Sequence, residues 1–210
     1  IVGGTVTGMG QFGFNSICTL TATANEGYSF VNWTKEGMIV STEAEYSFNV
    51  IDDATFVARF ASSGNIVFAD ANVKSICVSN WDTNGDGELS YVEAASVTDL
   101  GYYFQGNTEI SIFVELQYFI GLSSIGENAF NNCTGLTFIT LPNTITEIGN
   151  SAFYNCSGLI GSLTIPDSVV RIGNSAFYNC SGFVGLLTIG NSVKTLGNYA
   201  FYGCRNFTGN

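Results

Sequence analysis

Acidic and amide side chains alternate along residues 82–93, in the stretch DTNGDGELSYVE. Oxygen-bearing side chains stand at its first, third, fifth, ninth and twelfth places, which are Asp82, Asn84, Asp86, Ser90 and Glu93. Glu88, at the seventh place, is expected to offer its backbone carbonyl, and Gly87 allows a sharp turn. Alternate side chains of a tight loop converge on one centre, and Ca²⁺ prefers oxygen ligands. The spacing therefore predicts one calcium site, with Ser90 acting through water and Glu93 through both carboxylate oxygens.

The segments that flank this loop predict two short helices. Asp70 can cap a first helix, whose apolar residues follow helical spacing at Val73, Ile76, Cys77 and Trp81. Ser90 and Glu93 form a capping box for a second helix that runs to about Leu100. This helix–loop–helix pattern resembles the EF-hand, and half of a dockerin module, although dockerins carry two such loops. The alternative is an acidic turn and helix cap that binds no metal.

The residue types that most hydrolases need are missing from this chain. It contains no histidine, which excludes Ser–His–Asp and Cys–His nucleophile pairs and HExxH zinc sites. Its six cysteines include no CxxC pair, so neither a zinc knuckle nor a thioredoxin-type site is indicated. We therefore expect a protein that is not an enzyme.

Charge narrows the range of partners. The 210 residues carry 17 acids and 6 bases, a net charge of −11, so no basic patch is available for nucleic acid or for an anionic membrane. No apolar run approaches the roughly 18 residues of a membrane span, so we expect no membrane insertion of this segment. The charge is concentrated in residues 61–120, which hold eight acids and one base, whereas residues 121–210 hold three of each.

The C-terminal half of the chain repeats one phrase. Its four copies are Ala129–Cys133, Ala152–Cys156, Ala176–Cys180 and Ala200–Cys204, and their alanines are 23, 24 and 24 residues apart. One such unit cannot close a core alone, so successive coils must stack around a shared apolar interior. Each coil is expected to carry a strand over the pattern Leu136–Leu141 and a second strand, Thr144–Ile148, on the opposite wall. The extra residue near Gly161 and Gly185 is expected to form a loop or bulge.

The repeat, read as LTFITLPNTITEIGNSAFYNC over Leu136–Cys156, resembles the BspA-like leucine-rich repeat family from about residue 113 to the C-terminus. The resemblance implies a secreted or surface-displayed bacterial protein that adheres to protein ligands, typically those of the host extracellular matrix. The chain stops at Asn210 within a new repeat, so we expect it to be a fragment of a longer array. The repeat cysteines are expected to be buried free thiols, with a redox or metal role as the alternative.

Outward-facing strand positions are where a solenoid presents its binding residues. Two columns flank inward-facing positions and are expected to face solvent. They are Phe138, Ser162 and Leu186, and Thr140, Thr164 and Thr188. Large apolar side chains at surface positions can mark a contact patch. We therefore predict partner binding by these six residues, although they are equally compatible with ordinary exposure or with cover by a neighbouring module.

Residues 1–61 lack the repeat and contain short alternating segments separated by turn residues, which predicts a small β module. The expected strands are Cys18–Thr23, Tyr28–Trp33, Glu45–Val50 and Thr55–Phe60. The stretch LTATANEGYSFVNW (Leu20–Trp33), with FVARF (Phe56–Phe60), resembles the divergent internalin-type B-repeat, also called the Listeria–Bacteroides repeat. In that family such modules are spacers or weak binders, and Trp33 is expected to lie in the core.

The predicted fold is mainly β, with a small N-terminal β module (1–61), a linker (62–65), a helical cap with the EF-hand-like loop (66–112) and a leucine-rich-repeat solenoid of stacked parallel strands (113–210). The predicted function is a monomeric, non-enzymatic, extracellular or surface-displayed bacterial protein that binds protein partners. A carbohydrate-binding module and a purely architectural stalk are the alternatives.

Overall fold

The computed structural model describes residues 3–25 and 27–208. Five residues lie outside the described ones, among them the start of the predicted N-terminal module and the end of the predicted solenoid: Ile1, Val2, Glu26, Gly209 and Asn210. The described chain is mainly β, with few helices and a solenoid of stacked parallel strands, as the sequence predicts.

The N-terminal module consists of two three-stranded antiparallel sheets packed face to face. One sheet has the order β1–β2–β5, formed by Gly4–Thr7, Ile17–Ala24 and Glu45–Asn49; the other has the order β4–β3–β6, formed by Met38–Ser41, Tyr28–Lys35 and Phe56–Ser62. Alternate residues of β2, such as Cys18 and Leu20, point into the core. Trp33 is 1% exposed, which confirms its core position. The short strands β1 and β4 are additional to the four predicted ones.

The cap contains the two predicted helices, α1 at Ala71–Trp81 and α2 at Tyr91–Ser96, followed later by a 3-10 helix at Val114–Tyr118. Asp70 is the N-cap of α1, and Ser90 and Glu93 form the capping box of α2, both as predicted. The prediction that α2 reaches Leu100 is wrong, because the chain turns extended at Val97 (φ −69°, ψ 124°). Val97 is β-branched and buries its side chain in the core, which favours the extended conformation over another helical turn.

The solenoid coils carry strands on two walls. On one wall, β7 (Ile112–Phe113) pairs with β9 (Phe138–Ile139), and β11 (Gly161–Ile165) pairs with β13 (Phe183–Ile189). The opposite wall is one parallel sheet of two-residue strands, β8 (Ser124–Ile125), β10 (Glu147–Ile148), β12 (Arg171–Ile172) and β14 (Thr195–Leu196). These strands are shorter than the predicted Thr144–Ile148, because each coil bends sharply on both sides of this wall.

One continuous core joins the cap to the solenoid, from Ile66 to Ala200. A column of stacked phenylalanine rings runs along it, with centroids 5.0–5.3 Å apart, through Phe104, Phe130, Phe153, Phe177 and Phe201. The cap is therefore the closing end of the solenoid core and shares its stability.

The N-terminal module packs on α2. Val31 and Ala61 of the module contact the buried Ala95 of α2. The guanidinium of Arg59 on β6 donates a hydrogen bond to the carbonyl of Ile120. This contact holds the module against the cap.

Candidate functional site

The wall formed by β7, β9, β11 and β13 is interrupted in its middle. β9 pairs only with β7 and β11 only with β13, so two separate strand pairs stand where one sheet would be expected. A groove of about 270 Å³ lies between β9 and β11. Four of the six predicted partner-binding residues line it, namely Phe138, Thr140, Ser162 and Thr164.

The inserted residue explains the interruption. Gly161 has a φ of +77°, a conformation that glycine adopts without strain, and the register of β11 on β13 shifts between Gly161 and Leu163. The predicted bulge is therefore present. Beside it, Ile160 donates a backbone hydrogen bond to the carbonyl of Thr137 (3.1 Å), and no strand ladder follows. At this point β11 pairs with β13 and not with β9, and the groove lies between β9 and β11.

Exposed apolar side chains lie on the outer surface, in the groove and on the adjacent β13. Phe138 is 47% exposed and Leu186 57%, and two residues that the sequence did not single out, Ile160 and Val184, are 55% and 54% exposed. These two stand at the bulge, and they are in phase with the outward-facing Ser162 and Leu186. We call the surface of β9, β11 and β13 that carries these four side chains and the predicted Thr140, Ser162, Thr164 and Thr188 the strand face.

The polar residues of the strand face are mostly exposed. Ser162, Thr164 and Thr188 are exposed, and Thr140 is half-buried. The Ser162 hydroxyl accepts a hydrogen bond from the Leu186 amide (3.0 Å), which connects the two strands at the bulge. The strand face therefore combines exposed apolar groups with neutral hydroxyls and carries no charged side chain among its eight named residues.

A second column of aromatic residues lies at the turns. Tyr154, Tyr178 and Tyr202 stack ring on ring, with centroids 4.8 and 4.9 Å apart. Beside them, the Asn155 side-chain amide donates to the side-chain oxygen of Asn132 (2.9 Å), in a ladder that Asn179 continues. Because the rings cover one another, the column presents ring edges to solvent. Its sequence signal was the tyrosine that follows Ala-Phe in the last three copies of the repeated phrase.

The repeat cysteines are free, as predicted, and each has a hydrogen-bond acceptor. The thiols of Cys133, Cys156, Cys180 and Cys204 donate to carbonyls of the preceding coil at 2.9–3.1 Å. The neighbouring Cys133 thiol, together with burial, raises the pKa of Cys156. A buried thiol with a raised pKa is a poor nucleophile, so Cys156 and Cys180 serve packing. Cys204 is half-buried, and its hydrogen bond with Cys180 lowers its pKa.

In the acidic loop, side chains at the first and third places fold back on the loop backbone. The Asp82 carboxylate accepts hydrogen bonds from the Gly85 and Gly87 amides at 2.7 and 2.9 Å, and the Asn84 side-chain oxygen accepts from the Asp86 amide at 2.8 Å. Gly87 has a φ of +80°, in keeping with the sharp turn expected there. These contacts compact the loop around its own amides.

Glu93 closes the loop from its other end. Its carboxylate accepts five hydrogen bonds, from the amides of Thr83, Asn84 and Ser90 and from the hydroxyls of Thr83 and Ser90, at 2.8–3.2 Å. Burial alone would raise the pKa of Glu93, but the hydrogen bonds from Ser90 and Thr83 lower it to about 2. The carboxylate is therefore ionised at neutral pH and is stabilised by protein donors.

The donor types of the loop fit Ca²⁺, but the structure does not gather them into a cluster. Within residues 3–25 and 27–208, no three His, Cys, Asp or Glu side chains stand close enough to hold a metal ion. Ser90 caps α2, and the Glu88 side chain forms an ion pair with Lys74 (2.6 Å). The loop therefore has the hydrogen-bonded arrangement, in which the Glu93 carboxylate accepts from amides and hydroxyls of the loop.

A neighbouring segment pairs with the loop. Ile66 donates its amide to the Leu89 carbonyl (2.8 Å), and Tyr91 donates to the Gly64 carbonyl (3.0 Å), around an antiparallel bridge between Asn65 and Ser90. The predicted linker is therefore hydrogen-bonded to the loop where it enters α2. This pairing fixes the loop between the N-terminal module and the cap.

Asp70 joins the cap to the first solenoid strand. One carboxylate oxygen accepts from the Asn72 and Val73 amides and caps α1. The other accepts from the amide and hydroxyl of Ser111 (2.6 and 2.7 Å) and from the Ile112 amide (3.3 Å). The cap role was predictable from sequence, but the bridge over 41 residues to Ser111 was not.

Comparison with known proteins agrees with the two repeat types. A family model described as a BspA type leucine rich repeat region matches six copies within residues 101–209, just over half of the chain. A model of the divergent InlB B-repeat domain matches residues 1–64. The repeat match begins inside the predicted cap, where Phe104 starts the phenylalanine column.

A solved relative is the leucine rich repeat protein of T. pallidum, at 30% sequence identity and a TM-score of 0.36. The alignment covers 46% of this chain and 49% of that protein, so the chain spans about half the length of this relative. No curated protein matches the chain. Among the described residues, no helix is long and apolar enough to cross a membrane.

Proposed function

Because the chain belongs to the BspA type leucine-rich repeat family, we propose that it is a monomeric, non-enzymatic binding protein of a bacterial cell surface. Its two matched families are repeat and binding types that are typical of bacterial surface proteins. The strand face binds a protein partner, and host extracellular matrix proteins are the proposed class.

The observation that carries this proposal is the apolar composition of the strand face. Phe138, Ile160, Val184 and Leu186 are each about half exposed; the first two line the groove, and the other two lie on the adjacent β13. A contiguous exposed apolar patch on a soluble surface is typical of a protein-binding site. The face is neutral, so its partner is selected by shape and apolar contact, with little long-range electrostatic steering.

The stacked tyrosines argue against the carbohydrate alternative. Sugar rings bind on exposed aromatic faces, whereas Tyr178 is stacked between Tyr154 and Tyr202. A purely architectural stalk predicts no saturable binding at all. A glycan array and a protein panel therefore separate the three functions.

The test is binding of the 210-residue chain to a panel of purified extracellular matrix proteins by biolayer interferometry. The double variant Phe138→Ser/Leu186→Ser should weaken binding at least tenfold, because truncating central apolar anchors costs about 1–2 kcal/mol each. Leu196→Ser is the matched control, since Leu196 is 56% exposed but lies on β14 of the opposite wall. Equal loss in the control, or no saturable binding to any protein of the panel, contradicts the proposal.

We further propose that the acidic loop binds one Ca²⁺. The proposed ligands are the side chains of Asp82, Asn84, Asp86 and Glu93, the backbone carbonyl of Glu88, and Ser90 through water. The hard oxygen donors and the turn at Gly87 support this ion. When bound, the cation would neutralise a loop that otherwise depends on its own amides.

Calorimetric titration with Ca²⁺ tests the loop. We expect a dissociation constant of about 10⁻⁵–10⁻³ M and a melting temperature that falls when EGTA is added. Asp86→Ala should abolish both effects, whereas Asp99→Ala, at an exposed carboxylate outside the loop, should abolish neither. An absence of heat at millimolar Ca²⁺, with an unchanged melting temperature in EGTA, would show that the hydrogen-bonded loop is the functional state.

A further inference from the structure

The N-terminal module has a cavity of about 630 Å³ between its two sheets. It opens at the end where β2 begins, β5 ends and β6 begins, since Ile17 pairs with Asn49 and Lys35 pairs with Phe56 at this end. Polar and apolar groups both line it, and the apolar part includes Val6, Met9, Phe12, Phe48, Val50 and Phe56. Trp33, which is otherwise buried, forms part of the lining. The volume and the aromatic lining are those of small-molecule sites, which span roughly 300–1,000 Å³.

The mouth of the cavity is open to solvent, and exposed apolar side chains lie at and near it. Exposed apolar side chains follow the segment that leads into β2 and the turn after β5: Met9 (70%), Phe12 (42%), Phe14 (82%), Ile17 (70%) and Ile51 (64%). Backbone hydrogen bonds between Asn15 and Val50 (2.7 Å) and between Val50 and Ser16 (2.9 Å) tie the two segments together. These hydrogen bonds fix the backbone at the mouth. The apolar side chains there remain exposed to solvent, although a cavity lies beside them.

Two carboxylates stand among these apolar groups. Asp52 and Asp53 both line the cavity. Lys35 pairs with Asp52 at 3.3 Å, through side chains that are 29% and 60% exposed. Arg59, the module's other base, is directed away to the Ile120 carbonyl. The mouth therefore has a negative balance, and a cation is the charge that complements it.

We propose that this cavity binds an organic amine whose aromatic or branched aliphatic body fills the apolar interior while its ammonium group lies at Asp52 and Asp53. The site is separate from the strand face, so binding at this cavity can be tested independently of the protein-binding function. Its specificity follows from two features together: the apolar part of the lining contacts the hydrocarbon body of the ligand, and the carboxylates favour a positively charged group.

Three probes of equal size test this selectivity by ¹⁹F NMR of the 210-residue chain at pH 7. They are 4-(trifluoromethyl)phenethylamine, the corresponding neutral alcohol, and 4-(trifluoromethyl)phenylacetate. A ligand of about a dozen heavy atoms is expected to bind with a dissociation constant on the order of 1 mM. The amine should bind about two- to fivefold more tightly than the alcohol, and the acid more weakly than either, because exposed charge pairs have effects of this size.

Two kinds of variant locate the binding. Asp52→Asn/Asp53→Asn should remove the preference for the amine and leave the affinity for the alcohol unchanged. Ala54→Trp, at an exposed position of the lining, should reduce binding of all three probes at least fivefold by filling the mouth. Ala44→Trp is the matched control, because Ala44 is also exposed in this module but does not line the cavity.

The proposal is overturned by equal affinities of the three probes, by no line broadening at 10 mM amine, or by amine binding that survives Ala54→Trp. Concentration-dependent self-association that Ala54→Trp abolishes would also overturn it, since the cavity would then belong to an interface between two copies of the chain.

Discussion

Replacing Asp70 by serine separates the two structural roles of this carboxylate. Serine is as good an N-cap as aspartate, so the variant keeps the cap of α1. Serine has a single side-chain oxygen, so it cannot cap α1 and also accept the hydrogen bonds that Ser111 and Ile112 donate to the second carboxylate oxygen of Asp70. The variant therefore measures the bridge between the cap and the first solenoid strand.

The magnitude follows from the three lost contacts. Hydrogen bonds to a charged group contribute about 1.5–3 kcal/mol each when buried. Ser111 is exposed, so water replaces its two bonds in part, whereas the Ile112 amide is half-buried. We expect Asp70→Ser to lower the free energy of unfolding by about 1.5–3 kcal/mol. Asp70→Ala, which also removes the cap, should cost about 1 kcal/mol more.

Urea unfolding followed by circular dichroism measures both variants. Asp99→Ser is the matched control, because the exposed Asp99 accepts one hydrogen bond, from the Gly101 amide (2.9 Å), and should cost about 0.5 kcal/mol. If Asp70→Ser and Asp99→Ser prove equally stable, the bridge contributes nothing and the reasoning fails.

Three further predictions follow from single residues. Burial would raise the pKa of Asp70, but the hydrogen bonds from Ser111 and the α1 amides lower it overall. The contribution of the ionised Asp70 to folding stability is present above the unfolded-state pKa of about 3.9 and is lost as pH falls through the folded-state pKa. Asp70→Asn should therefore flatten the acid limb of the stability–pH curve. Gly173→Ala should cost about 1–3 kcal/mol in the same urea assay, because a Cβ there would lie 2.6 Å from the Asn150 amide nitrogen, whereas Gly13→Ala, with open space around it, should be silent. Tyr199 has a φ of +58° and is 67% exposed, so Tyr199→Asn should raise the melting temperature through relief of about 0.5–1 kcal/mol of backbone strain; an unchanged or lower value would contradict this.

The repeat architecture was predictable because each coil repeats the same pattern of apolar residues. A column such as Ile125, Ile148 and Ile172 recurs at fixed spacing, and only a stack of coils buries every member. The capping residues Asp70 and Ser90 were predictable for a similar reason, since a cap is a local hydrogen bond between residues three positions apart.

The contacts that the sequence did not predict join distant residues or depend on an irregularity. The bulge near Gly161 was foreseen, but its consequence, a groove between β9 and β11, depends on which neighbour each strand keeps. The exposed Ile160 lies two residues before Ser162 and follows the same outward-facing alternation. Likewise, the pairing of Ile66 with Leu89 needs the three-dimensional course of the chain.

The acidic loop shows the limit of a ligand pattern. The spacing names oxygen donors, but the same spacing serves a hydrogen-bonded turn in which Glu93 accepts from Thr83 and Ser90. The donor types alone do not decide between the calcium-bound and the hydrogen-bonded loop, because both states stabilise the buried Glu93 carboxylate. Calcium binding at this loop therefore stays a prediction that titration will decide.

Hydrogen–deuterium exchange tests the strand face most directly. The 210-residue chain would be measured alone and with a saturating amount of the matrix protein that binds it best. The account predicts slower exchange in peptides that cover 137–141, 159–166 and 183–189, with no change in those that cover the opposite wall at 147–148 and 171–172. Protection confined to the opposite wall or to the N-terminal module would contradict the assignment of the strand face as the binding surface.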